Sequence, residues 1–191
     1  MFILCFISVY LQALENKRVF KVVSFVGFCE YRLFGDDWKI LKVGDIIGDD
    51  SEIRVNGRDD YLELELEDSL RLKLLGPTTL QVKEILRYDF SGNKSTLLSL
   101  NSGKIFAKVK NISKRIFKIE SETAIFTVKG TRFFISFFPE EGGELIVTEG
   151  SVEVNAPLNT FKPFKVNEGQ MFKIPSTLGE SILPVMQASK E

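Results

Sequence analysis

Over residues 61–74 the chain alternates strictly between apolar and charged side chains, and this period of two restricts its fold more than any other feature. Leu62, Leu64 and Leu66 fall on one side, and Glu63, Glu65 and Glu67 on the other. After Asp68 and Ser69, Leu70, Leu72 and Leu74 alternate with Arg71 and Lys73. A helix would scatter these leucines around its axis, whereas a strand collects them on one face. Residues directly opposite one another in an antiparallel hairpin share a face, so Leu66 is predicted to pair with Leu70 across a loop of Glu67, Asp68 and Ser69. That register sets Glu65 against Arg71 and Glu63 against Lys73. A two-residue loop would pair Leu66 with Arg71 and mix the faces. The charge run is therefore a solvated sheet face, not an acidic functional stripe.

The same period recurs along the chain, punctuated by Gly, Asn, Asp and Ser, as in an all-β protein. A hairpin is predicted over residues 98–109, with a Ser102-Gly103 turn pairing Leu100 with Ile105 and Leu98 with Ala107. Another is predicted over residues 145–154, with a Glu149-Gly150 turn pairing Val147 with Val152 and Leu145 with Val154. A final strand pair is expected around Asn167-Glu168-Gly169. Within residues 124–138, Phe126 and Val128 set one phase and Phe133, Ile135 and Phe137 the opposite one. A bulge or corner near Gly130 absorbs that slip. Residues 155–163 read as a surface loop and residues 175–191 as a flexible tail. Residues 88–94 interrupt the apolar pattern as a weak boundary; two β lobes and two stacked layers both satisfy it. The expected fold is all-β, a solenoid-like or sandwich-like stack of short antiparallel strands and hairpins. The 17 phenylalanines favour strands over helices.

Composition narrows the function. There is no histidine, which removes the commonest general base and neutral metal ligand. The formal net charge is −1 with acids and bases interspersed, so nothing supports nucleic-acid binding. No nucleophile motif, phosphate loop or cysteine cluster occurs, and no enzyme activity or cofactor is expected. Residues 1–13 (MFILCFISVYLQA) are too short to span a bilayer as a helix, which takes about 20 residues. Their length suits the apolar region of a signal peptide; because the usual positively charged start is missing, a start further upstream and a first buried strand are the alternative readings. The expectation is a protein exported to the periplasm or secreted, without an integral membrane span. Of the two cysteines, Cys5 lies in this leader, and Cys29 reads as a small buried apolar residue.

Several of these segments resemble FecR domains. Val128-Lys129-Gly130-Thr131 and the apolar run after it resemble the family's V-R-G-T-x-F core, with Lys129 in place of arginine and Phe133 at the aromatic position. Gly150-Ser151-Val152-Glu153-Val154 resembles its G-x-V-x-V turn, and Glu168-Gly169-Gln170 its closing element. Upstream, Val43-Gly44-Asp45-Ile46, residues 64–72, Gly76-Pro77-Thr78-Thr79-Leu80 and Gly103-Lys104-Ile105 follow the family pattern in order. Glycine is missing between Asp68 and Ser69. The resemblance runs over about residues 40–174 and implies an all-β envelope domain, placed here at residues 19–174. FecR regulators carry an anti-sigma helix and a transmembrane helix before this domain and a receptor-binding part after it. No counterpart is read in this sequence, so the chain resembles the stand-alone exported kind, and direct control of a sigma factor is not expected.

The motif positions Val128, Gly130, Thr131, Phe133, Gly150, Val152 and Gly169 are read as structural, with Gly130 permitting a kink and Thr131 bonding locally to backbone. The competing reading makes Lys129 and Thr131 contacts to a ligand or partner. Trp38 is a third binding candidate, able to stack on a sugar, though a lone tryptophan at a strand start usually packs on the core. Asp45, Asp49, Asp50 and Glu52 carry the oxygen chemistry of a calcium site, but the spacing is not that of an EF-hand and ordinary turn chemistry explains them. Glu140, Glu141 and Glu144 sit in a glycine-rich turn without an aromatic cleft, so a carboxylate pair for glycoside chemistry is disfavoured. The function expected is a non-catalytic binding or sensing module of the envelope, contacting an unidentified protein or glycan, with strand addition at exposed edges as one physical mode. The alternative is a structural or assembly component of the envelope.

Overall fold

The computed structural model describes residues 19–88, 92–159, 161–180 and 184–188. The segment expected to be a signal peptide lies outside them. Sixteen strands follow in chain order: β1 (Phe20–Val26), β2 (Cys29–Leu33), β3 (Lys39–Ile40), β4 (Ile46–Ile47), β5 (Ser51–Val55), β6 (Tyr61–Leu66), β7 (Leu70–Tyr88), β8 (Lys94–Val109), β9 (Arg115–Glu120), β10 (Ile125–Val128), β11 (Arg132–Phe138), β12 (Gly142–Glu149), β13 (Ser151–Asn155), β14 (Phe164–Asn167), β15 (Gln170–Ile174) and β16 (Met186–Gln187). A single 3-10 turn, Pro157–Asn159, is the one helical element among the described residues.

All sixteen strands belong to one sheet, folded over on itself into two facing layers. The first layer runs β4-β1-β6, residues 70–75 of β7, residues 103–109 of β8, then β11-β12-β15-β16. The second runs β3-β2-β5, residues 78–88 of β7, residues 94–102 of β8, then β9-β10-β13-β14. The long strands β7 and β8 bend through both layers and hold them together. Pairing is antiparallel throughout except between β8 and β9. The layers enclose one continuous apolar core, in which Leu64, Leu72, Ile105 and Phe133 of the first face Ile53, Leu98, Ile119 and Phe126 of the second. Near the C-terminal end, Phe164 and Phe172 join the layers edge to face at 5.0 Å. Tyr88 and Lys94, at the two limits of the expected boundary, pair across β7 and β8, and residues 89–91 between them lie outside the described residues.

The 61–74 hairpin has the predicted register: Leu66 faces Leu70, Glu65 faces Arg71 and Glu63 faces Lys73. The two charged pairs close at 3.1 and 3.2 Å. Three other predicted hairpins are corrected. At Ser102-Gly103 the chain does not reverse. β8 continues through a bend, with Leu100 against Leu80 and Ile105 against Leu74 on β7. At Gly150, β12 leaves the first layer and β13 enters the second, so Val147 pairs with Phe133 and Val152 with Val128. β14 and β15 are likewise in different layers, paired with β13 and β12. In each case a glycine with positive φ carries the chain from one layer to the other: Gly103 (118°), Gly150 (82°) and Gly169 (76°). The region expected to be a tail contains β16, which adds to β15 through Met171–Met186 and Gln170–Gln187.

Candidate functional site

The recognisable motifs converge on a row of corners along one edge of the folded sheet. Val128 ends β10 in the second layer, Gly130 turns with φ of 67°, and Arg132 starts β11 in the first. This is the bend that the phase slip anticipates. Neighbouring corners stack against it. Thr131 and Val109 exchange backbone hydrogen bonds of 3.0 and 2.9 Å, the amide of Glu168 donates to the carbonyl of Gly150 at 2.9 Å, and that of Gly169 to Val147 at 2.8 Å. The Thr131 hydroxyl is buried and donates to the carbonyl of Ser151 at 2.9 Å, tying two corners together. Val128, Phe133 and Val152 are buried in the core behind the row. These motif residues thus build a turn whose backbone groups are satisfied sideways, as a sheet edge folded over on itself requires.

The three binding candidates are not brought together. Lys129 is exposed at the Gly130 corner, while Thr131 beside it is only 1% exposed with its hydroxyl engaged. Trp38 lies at the other end of the stack, just before β3. It is half-buried on the outer side of the second layer, not in the core. Its ring lies under the guanidinium groups of Arg32, at 4.5 Å, and Arg54, at 3.9 Å. Arg32 also forms a two-nitrogen contact with one carboxylate oxygen of Glu52, at 2.7 and 2.9 Å. Cation–π stacking accounts for the placement of the tryptophan.

The carboxylates considered for calcium are dispersed into turn and pairing roles. Asp45 caps the turn before β4 by accepting from the amide of Lys42 at 2.8 Å, and Asp49 accepts from the amide of Ile85 at 2.6 Å. Among the described residues no group of three or more His, Cys, Asp or Glu is placed to hold a metal ion. Glu144 pairs with Lys173 at 3.4 Å, across β12 and β15.

Sequence reasoning missed Asp60. Its carboxylate organises the opposite row of corners, where β1 passes to β2 and β5 to β6. One oxygen, Oδ2, accepts from the amides of Phe28 at 2.9 Å and Gly57 at 2.8 Å. A β-carbon on Gly27 would lie 1.8 Å from Oδ1 of Asp60, so both glycines exist to let this carboxylate in. The available signal was Asn56-Gly57 followed three residues later by an acid, the pattern of a side chain capping its own turn. Beside it, Cys29 is fully buried and its thiol is pushed up to about 11, first by loss of solvent and then by the charge of Asp60. A depression of about 680 Å³ opens at this edge between residues 58–61, Gly76-Pro77 and the turn bearing Phe138 and Glu141.

Fold and corners together define a class, an all-β module built from one sheet folded through glycine turns. The sequence profile of the family described as FecR protein matches residues 51–153. This is more than half of the chain, which therefore belongs to the FecR family, a regulatory, non-enzymatic family associated with the cell envelope. Two crystal structures of a candidate anti-sigma factor from Parabacteroides distasonis ATCC 8503, at 1.65 and 2.50 Å resolution, share the fold with a TM-score of 0.56 and 20% identity. The aligned region covers 73% of this chain and 60% of that one. A search of curated proteins returned no match. Among the described residues no helix is long and apolar enough to cross a membrane.

Proposed function

We propose that this FecR chain is a non-catalytic binding module on the outer side of the cell membrane, sensing or holding a protein partner through the N-terminal end of its folded sheet. One observation carries the reading. Among the described residues, eight of the thirteen exposed large apolar side chains lie within residues 23–46, including Phe34 (87% exposed), Ile40, Val43 and Ile46. They surround β3 and β4, the last strands of the two layers, whose outer edges have no sheet neighbour among the described residues. Monomeric soluble proteins rarely concentrate apolar surface in this way, and unpaired strand edges add backbone donors and acceptors to the same place. Apolar surface of this kind suits a protein contact better than a glycan, which needs hydroxyl-binding groups.

Photo-crosslinking amino acids at Phe34 and Ile40, compared with one at Lys165 on β14 at the opposite end, test the reading in the native cell. A crosslinked protein partner from the first two positions alone supports it. Equal capture at all three, or capture of no protein, overturns it. Export is tested in the same cells by fractionation: recovery of the chain in the cytosol would contradict the envelope location. A partner captured in constant one-to-one amount under all conditions would favour the structural role over sensing.

A further inference from the structure

The outer faces of the two layers differ. On the first layer the register lines up Phe106, Phe134, Ile146, Met171 and Met186 in one row across five neighbouring strands. Phe106 is 48% exposed and its ring meets that of Phe134 at 4.8 Å. A comparable row on the second layer reads Leu97, Lys118, Thr127, Glu153 and Lys165, with a single apolar member. Outward positions of a solvated sheet are ordinarily polar, so the apolar row of the first layer asks for a cover.

Charge frames that row. Lys104 and Lys108 flank Phe106 on β8, two residues away on either side and pointing to the same face. Arg71, Lys73 and Arg132 nearby are neutralised by Glu65, Glu63 and Glu149. Lys104 and Lys108 have no carboxylate within ion-pairing distance among the described residues. On the Lys108 side of Phe106 lies an open groove of about 430 Å³, lined also by Arg71, Lys73, Arg132 and Glu63. At its β8 end the apolar line is thus bordered on both sides by an unneutralised ammonium group, while further along one border Glu144 is already paired with Lys173.

We infer that this face docks an amphipathic helix of a partner protein whose apolar stripe is bordered on both sides by Asp or Glu. A helix is the occupant the geometry selects. The backbone groups of this face are already used by neighbouring strands, so an added strand has nothing to pair with, whereas a helix brings its backbone satisfied and needs only side-chain contact. Five strands spaced by about 4.8 Å give a row of about 19 Å, the length of about 13 helical residues. Carboxylates on the two borders of such a helix, at the end that lies over β8, meet Lys104 on one side and Lys108 on the other. The inference stands on this face alone and does not use the N-terminal end.

The test uses two synthetic 16-residue helical peptides with the same leucine stripe, one bordered by glutamates and one by lysines, titrated against the full chain by fluorescence anisotropy. The glutamate peptide is expected to bind at least tenfold more tightly. The double variant Lys104→Glu/Lys108→Glu should reverse that order, and Phe106→Ser should weaken binding about tenfold with circular dichroism unchanged. Vesicles of phosphatidylglycerol provide the competing cover, a lipid surface. Equal affinity for the two peptides, no binding of either, insensitivity to Phe106→Ser, or binding to vesicles stronger than to the glutamate peptide would each overturn the inference. Because the crosslinking test reads the other end of the molecule, either result can fail while the other stands.

Discussion

A β-carbon placed on Gly150 would lie 2.6 Å from the carbonyl oxygen of Gly130. Two successive layer crossings, separated by twenty residues of sequence, are therefore in contact, and Gly150 is constrained by the Gly130 corner as well as by its own φ, while Gly130 is confined by Asn111.

The three corner glycines are expected to differ in tolerance. All have positive φ, which by itself costs a non-glycine residue about 1–2 kcal/mol. A β-carbon on Gly169 meets nothing nearer than 3.9 Å, so Gly169→Ala should cost about 1 kcal/mol. Gly150→Ala adds a clash with backbone, and Gly130→Val one with the β-carbon of Asn111 at 2.7 Å; each should cost about 2–4 kcal/mol. Urea midpoints of the three variants check the ranking. Equal midpoints for Gly150→Ala and Gly169→Ala would show that the corners are not stacked tightly.

Thr131 and Lys129 separate structure from surface within one motif. Thr131→Val keeps the shape but removes a buried donor to the Ser151 carbonyl, and should destabilise by about 1–2 kcal/mol. Lys129→Ala, at an exposed position, should stay within about 0.5 kcal/mol of wild type. Thermal unfolding of the pair is sufficient, and a larger loss from Lys129→Ala would refute the assignment.

Asp60 should matter more than its sequence context suggests. Asp60→Ala removes the acceptor of two charge-assisted backbone bonds at the β1–β2 and β5–β6 crossings, with an expected loss of about 2–3 kcal/mol. Asp60→Asn retains the acceptor oxygen without the charge and should fall between it and wild type. The order of denaturant midpoints is the readout.

Cys29 couples stability to alkaline pH. Its thiol is raised from 9.0 to about 11 in the folded state, so the native chain holds this proton more tightly than the unfolded chain. The contribution is present in full below pH 9 and is lost as pH rises from 9 towards 11, by at most about 1.4 kcal/mol per pH unit. The informative quantity is the difference between wild type and Cys29→Ala, which isolates this one group. That difference should shrink or change sign between pH 8.5 and 11. A constant difference would mean that burial does not hold the thiol neutral.

The 61–74 hairpin should take its stability from the inward leucines, not from its ion pairs. Leu64→Ala, at a fully buried position, should cost about 2–5 kcal/mol. Arg71→Ala, which breaks a solvent-exposed pair with Glu65, should cost less than about 1 kcal/mol. Comparable losses would shift the account of this hairpin from burial to charge.

The sequence alone determined which residues face inward and where the alternation slips. Its period of two put Leu62 through Leu74 on one face, and opposite charges at 63/73 and 65/71 fixed one register, because slipping it by one residue would bury charge. The slip at Gly130 announced a corner for the same reason. What the tertiary structure decided is whether a glycine turn reverses the chain beside itself or carries it across to the facing layer. At Ser102-Gly103 and at Gly150 both outcomes place the same side chains inward, since Leu100 and Ile105, or Val147 and Val152, are buried either way. The apolar pattern is then silent, and the outward residues there lack the opposed charges that marked the first hairpin. The choice fell to non-local partners: β7, β10, β11, β14 and β15 offered β8, β12 and β13 their unpaired backbone groups, and a strand goes where its amides and carbonyls are satisfied. The candidate surfaces share that origin, because the row from Phe106 to Met186 exists only once five separate strands lie side by side.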